Sequence, residues 1–236
     1  RGGAIAANVG QVQVDGQLEL LDSGDFDIWT STRGGGMSLE AGATAVVAPT
    51  GYITLDGCIA VDSGAGLFVT GAGSSFTWQP GSRATFTNNK AANANGGAVL
   101  VSSNAAITFD GARVVGTGNS AGSKGGAMAV DEAGTLTVQG GTLNLTENSA
   151  GVGGGALSAE LDGSLRLSPV GGLFLLFNNS AAGKGGAVAV SSESHVLLNA
   201  SMLCETPHVS SPCIVIQESR ADATGDAVGG GSVAVD

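Results

Sequence analysis

The sequence predicts an all-β protein: a right-handed, single-stranded parallel β-helix (β-solenoid) of about seven coils, each about 30 residues long with three strands. Three observations predict it. A motif of asparagine, small residues, a glycine pair and a short apolar run recurs in phase: GNSAGSKGGAMAV from Gly118, ENSAGVGGGALSA from Glu147 and NNSAAGKGGAVAV from Asn178. Between these motifs lie short runs that alternate apolar and polar residues and are bounded by Gly, Asn, Asp or Ser, the pattern of strands. No stretch repeats its apolar residues with the helical period.

The repeat sets the domain plan. Aligned on the glycine pair, copies begin at Gly2, Gly35, Gly96, Gly125, Gly154 and Gly185, with a degenerate copy at Gly64 and a last one at Gly230. Such a period marks a solenoid, in which each unit buries its apolar face only against its neighbours. Residues 1–236 therefore read as one β-solenoid segment of a longer array, or as a subunit that stacks on its own copies. The coil opening at Gly185 is longer than the rest and carries an insertion loop at 203–218.

Within a coil the strands follow in order. The unit at Gly125 reads GGAMAV, TLTVQGG and TLNLTEN; the unit at Gly154 reads GGALSA, SLRLSPVGG and LFLLFNN. Stacking at about 4.8 Å places equivalent residues in columns, so seven coils span roughly 34 Å. Val99, Met128, Leu157 and Val188 should point inward, as should Ile107/Phe109, Leu136/Val138, Leu165/Leu167 and Val196/Leu198 from the second strand. The column Ala98, Ala127, Ala156 and Ala187 is expected on a smooth outer face suited to lateral docking. The right hand follows from the general preference of parallel crossovers.

The corner is the repeated part. Asn89, Asn119, Asn148 and Asn179 occupy one position, where Asn suits a left-handed bend and can form a hydrogen-bonded ladder. The pairs Gly96–Gly97, Gly125–Gly126, Gly154–Gly155 and Gly185–Gly186 should start each coil in backbone conformations closed to other residues. This motif is structural rather than catalytic.

Composition narrows the partners. The chain carries nine Lys/Arg against 20 Asp/Glu, a net charge of −11, which argues against nucleic acid and against adsorption to anionic lipid. No apolar run is long enough for a membrane helix. Cys204 and Cys213 have a spacing that fits a local disulfide in an oxidising compartment, and equally two unpaired small hydrophobes; Cys58 stands alone. Asn144, Asn178 and Asn199 begin N-glycosylation sequons.

Catalytic and metal signals are sparse. Cys204, His208 and Cys213 offer three soft ligands where structural zinc sites take four. The acidic pieces Asp22/Asp25/Asp27 and Glu218/Asp222/Asp226 suit either Ca²⁺ or water; no cofactor is expected. His195 opens a strand and reads as an exposed residue. Binding, if present, is expected at Cys204–Cys213, then at the loops 22–34 and 71–82, where Trp29 and Trp78 are exposed candidates.

The motifs resemble a known family. FTNNKAANANGGAV (Phe86–Val99), LTENSAGVGGGAL (Leu145–Leu157) and FNNSAAGKGGAV (Phe177–Val188) are similar to the FxxN and GGA[ILV] repeats of the chlamydial polymorphic outer membrane proteins. That resemblance implies an autotransporter-like β-helical passenger, displayed on the cell surface and used in adhesion. The barrel of that family has no counterpart in this chain. The expected function is a non-catalytic extracellular or cell-surface module, structural and adhesive, meeting a protein or a glycan. The alternatives are a carbohydrate-active β-helix enzyme and a glycan- or receptor-binding module.

Overall fold

Each coil opens where the backbone must turn left-handed. Gly34, Gly64, Gly96, Gly125, Gly154 and Gly185 have φ between +57° and +68°, the region glycine enters without a Cβ penalty. The next residue is small for a different reason. A Cβ on Gly97 would lie 2.0 Å from the carbonyl oxygen of Gly126, and one on Gly126 would lie 2.1 Å from that of Gly155. Only the first glycine of each pair is needed for its conformation; the second lets successive coils touch. At the degenerate copy Ala65 fills the second position and clusters with Ala60 and Ala91.

The computed structural model describes residues 4–23, 34–62, 64–191, 193–199, 202–203, 213–221 and 233–235. Every named strand pair among them is parallel, and the sheets run along the solenoid. The first sheet has eight strands, from Ile5–Ala7 to Val233–Val235; the second has seven, from Gln11–Val14 to His195–Leu198. The third has eight, among them Gln17–Leu21, Tyr52–Asp56, Arg83–Thr87, Arg113–Thr117, Thr142–Thr146, Leu173–Phe177 and Cys213–Gln217. The chain is thus a parallel β-solenoid.

Three details refine the expected coil. A fourth sheet of two-residue strands, such as Ser120–Ala121 and Ser149–Ala150, follows the asparagine corner. Two residues are too few to display a strand period. Met37 pairs with Leu67, and Leu67 with Val99, so the second copy opens at Gly34 and not Gly35. Three glycines in a row offer two pairs, and only the register chooses. In the longest coil Cys213–Gln217 is the regular third strand, in register with Leu173–Phe177, so the insertion ends before Cys213 rather than running over 203–218. Met202–Leu203 pairs with the outer edge of that strand, where a further coil would place its own third strand.

The interior is one apolar cluster running from Val14 to Ile214. Val99, Met128, Leu157 and Val188 enter it as expected, with Ile107, Leu136 and Leu165 from the second strand. Val196 is partly buried against it, but Leu198 is 38% exposed because its strand is the last of the second sheet. Trp78 is the main correction. Expected as an exposed binding residue, it is fully buried, stacked on Phe76 at 4.0 Å and on Phe109 at 4.5 Å. It lies in the strand Ser75–Trp78, inside a stretch expected to be an irregular loop.

The alanine column is also inside. Ala98, Ala127, Ala156 and Ala187 are fully buried members of the core, so no smooth alanine face is available for docking. They precede the first strand, where the chain turns inward. The outward column of that strand, Ser38, Phe68, Leu100, Ala129 and Ser158, is buried as well. The glycine corners fold over it: Cβ atoms on Gly64 and Gly96 would come within 3.1 Å of the Leu100 Cβ, and one on Gly125 within 2.8 Å of the Ser158 Oγ. The first sheet is roofed by its own connections.

Candidate binding face

The four asparagines do form a row. Asn89, Asn119, Asn148 and Asn179 are all fully buried. The Asn119 Oδ1 accepts from the backbone N–H of Asn89 at 3.0 Å and from its Nδ2 at 2.9 Å. The Asn119 Nδ2 donates to the Phe86 carbonyl and to the Asn148 Oδ1, both at 2.9 Å. Two donors and two acceptor sites are thus all used, the full capacity of a primary amide. The pattern repeats from Asn148 to Asn179. At the ends of the row Cys58 donates its N–H to the Asn89 Oδ1, and the Ser219 Oγ accepts from the Asn179 N–H.

The left-handed bend belongs to the residue before each asparagine, not to the asparagine. Gly57, Asn88, Gly118, Glu147, Asn178 and Glu218 have φ between +51° and +66°. That turn swings the next side chain inward, and burial then selects an amide able to satisfy the backbone around it. Cys58, which takes the same position, is also buried, and burial pushes its thiol up to about 11, with the Asp56 carboxylate adding to the effect.

A second polar network ties the roof. Lys124 forms an ion pair with Glu160 at 2.6 Å and donates to the Ser191 Oγ at 3.2 Å. Asn95 donates to Glu160 and to the Asp131 Oδ2, and its Oδ1 accepts from the Lys124 N–H. These contacts join residues 29 to 67 positions apart. They staple coils one and two rungs apart and are structural.

The open face is the outside of the third sheet. Its strands alternate, so Ala84, Phe86, Val114, Leu143 and Leu145 go to the core while every other residue faces out. Two adjoining depressions lie there. One, of about 210 Å³, is lined by Tyr52, Arg83, Thr85, Arg113 and Val115. The other, of about 280 Å³, is lined by Arg113, Val115, Thr142, Asn144, Leu173 and Leu175, among others. They share Arg113 and Val115 and form a groove that crosses five strands. Tyr52, Arg83, Arg113, Thr142 and Leu173 are successive rungs of one column.

Charge singles out this groove. Arg83 and Arg113 are exposed and directly paired in register, so their Cα atoms are about 4.8 Å apart. Neither guanidinium has an ion-pair or hydrogen-bond partner among the described residues. The Asn144 Oδ1 is enclosed and unpaired too. Sequence reasoning missed the groove because its members come from five coils. The one available signal was two arginines at equivalent positions, Arg83 and Arg113, in an acidic chain.

The other sequence-derived sites distribute as follows. Of the sequons, Asn178 and Asn199 are exposed, whereas Asn144 sits half-buried in the groove. Cys213 is buried; Cys204, and with it the disulfide expectation, lies outside the described residues. The same holds for Trp29, Asp25, Asp27, His208, Asp222 and Asp226. His195 is exposed at the start of its strand, as expected. Among the described residues no group of three or more His, Cys, Asp or Glu side chains is placed to hold a metal ion, and no helix is long and apolar enough to cross a membrane.

Fold and groove define the class: a parallel β-solenoid with one roofed sheet and one open, grooved sheet. Comparison with family models, with curated proteins and with solved structures returns no match.

Proposed function

We propose that this chain is a non-catalytic β-helical module of the extracellular space or cell surface, a rigid scaffold that presents a binding face for adhesion or assembly. The supporting observation is the unbroken registry of the coils: backbone pairing in four sheets, one continuous core and a buried amide row. Repeats that pack mainly on their neighbours, and do so at every level, make a stiff rod with long free flanks. The resemblance of the FxxN and GGA[ILV] motifs to polymorphic outer membrane protein repeats supports the surface location and the adhesive role.

The groove favours a second, narrower reading as a glycan- or receptor-binding module. Its lining of arginines, hydroxyls and apolar side chains, in place of paired carboxylates, suits holding a ligand more than cleaving a glycosidic bond. The test has two arms. Membrane-impermeant labelling of intact source cells should tag the chain, and small-angle scattering of the purified chain should give a rod of fixed length. Labelling only after lysis, or scattering from a flexible coil, would overturn the proposal.

A further inference from the structure

The groove on the third sheet has a chemistry specific enough to name a ligand class. We infer that it binds a linear polysaccharide built from uronic acids, lying along the solenoid axis with carboxylates on Arg83 and Arg113. This deepens the surface-scaffold reading and rests on it for where the ligand is met.

Charge comes first. In a chain of net charge −11, two unpartnered guanidiniums stand one coil apart, and like charges at this spacing repel. Nothing in the described structure neutralises them. An anion that engages both removes the repulsion, and a carboxylate matches the planar fork of each guanidinium. The charge of the rest of the chain then limits how acidic the ligand can be. A densely charged polymer is repelled by the surplus of Asp and Glu, and Glu19 and Asp56 lie on this same sheet face beyond Tyr52 and Thr85. One carboxylate per sugar fits better than several sulfates.

Shape and backbone come second. The groove crosses the strands, so its sites recur at the coil spacing, and a polymer with a regular repeat can address successive rungs. An extended acidic peptide gains its affinity by pairing with a free strand edge. Here the groove is a sheet face whose backbone groups already bond to neighbouring strands, from Tyr52↔Arg83 to Thr142↔Leu173. Only side chains are on offer. Thr85, Thr142 and Asn144 can serve sugar hydroxyls, and Tyr52, Val115 and Leu175 can cover the C–H faces of the rings.

The experiment uses the full chain and a galacturonate oligomer long enough to span two coils, with binding measured by calorimetry at low and at physiological salt. Expected is saturable binding that weakens with salt and is absent for the methyl-esterified oligomer. Arg83→Ala and Arg113→Ala should each weaken it about tenfold, with the melting temperature unchanged or slightly raised as the repulsion is relieved, and Arg113→Lys should restore only part of the loss. Val115→Glu, which adds a carboxylate to the groove floor, should abolish binding. No binding by the folded wild type would overturn the inference. So would binding unaffected by the double Arg→Ala change, or equal binding of dextran sulfate or polyglutamate. A rod on the cell surface that ignores uronate sinks the ligand and leaves the scaffold. A chain confined to the cell interior sinks the scaffold whatever it binds in the calorimeter.

Discussion

Replacing Asn119 by alanine tests the physical core of the fold. The side chain makes four hydrogen bonds in a fully buried position. Its removal leaves the Asn89 N–H without its acceptor, strips one partner from the Asn89 Nδ2 and deprives the Phe86 carbonyl of a donor. Each buried group left unpaired costs about 1–3 kcal/mol, and a small cavity adds to this. The expected loss is about 3–5 kcal/mol, read as the shift in urea midpoint at unchanged slope. Asn199→Ala is the control: that residue is exposed, and among the described residues its side chain makes a single hydrogen bond, to the Ser168 Oγ at 3.5 Å, so the change should stay within about 0.5 kcal/mol. Asn119→Asp should be worse than alanine at neutral pH, because a carboxylate would face the Phe86 carbonyl and the Asn148 Oδ1. Burial raises the folded-state pKa of that carboxyl above its unfolded value of about 3.9, so the penalty is smallest below pH ~4 and grows as pH rises through the folded value. If Asn119→Ala were as mild as Asn199→Ala, the amide row would not be what holds the coils in register.

Further substitutions probe other contacts. Gly126→Ala places a methyl group 2.1 Å from the Gly155 carbonyl oxygen, backbone against backbone, and should cost more than about 3 kcal/mol; Gly171→Ala meets nothing within 4 Å and should cost only about 1 kcal/mol for its φ of +69°. Circular-dichroism melts of the two would reverse that order if coil contact did not matter. Ser158→Ala should be neutral or stabilising by up to about 1 kcal/mol in the same melts, since its Oγ is buried without a partner. Trp78→Ala removes the centre of the Phe76–Trp78–Phe109 stack and should cost about 3–5 kcal/mol by urea titration. The Cys58 thiol, pushed up to about 11, should resist iodoacetamide at pH 8 in the folded chain and react on unfolding, as peptide mapping would show. Its folded pKa exceeds the unfolded one, so its contribution to stability is present below about pH 8.5 and is lost as pH rises towards 11.

Much of this fold is legible in the chain because a solenoid turns sequence period into spatial neighbourhood. Residues one period apart become contacts, so the Asn89–Asn119–Asn148–Asn179 row follows from spacing alone. The alternation of Ile107 and Phe109, or Leu136 and Val138, likewise names the core face of a strand. Two things resisted that logic. The triple glycine Gly34–Gly36 has two self-consistent alignments, and the two-residue strands are shorter than any period. Trp78 has turn-rich local surroundings that suggest a loop, whereas its column partners Val47 and Phe109 mark it as interior.

What the sequence by itself determined is the coil: its length, its three longer strands and most of the residues that stack. Tertiary structure alone decided what covers each face. Whether an alanine column is skin or core depends on how the glycine corners fold back, and here they roof the first sheet and bury its outward side chains. Among the described residues the third sheet has no such roof, so Tyr52, Arg83, Arg113, Thr142 and Leu173, dispersed over five coils, become one groove. The physical reason is that period fixes neighbours along the axis, whereas cover across the axis depends on how the connections fold back, and their recurring glycines and small residues mark where the chain turns without fixing which face it covers.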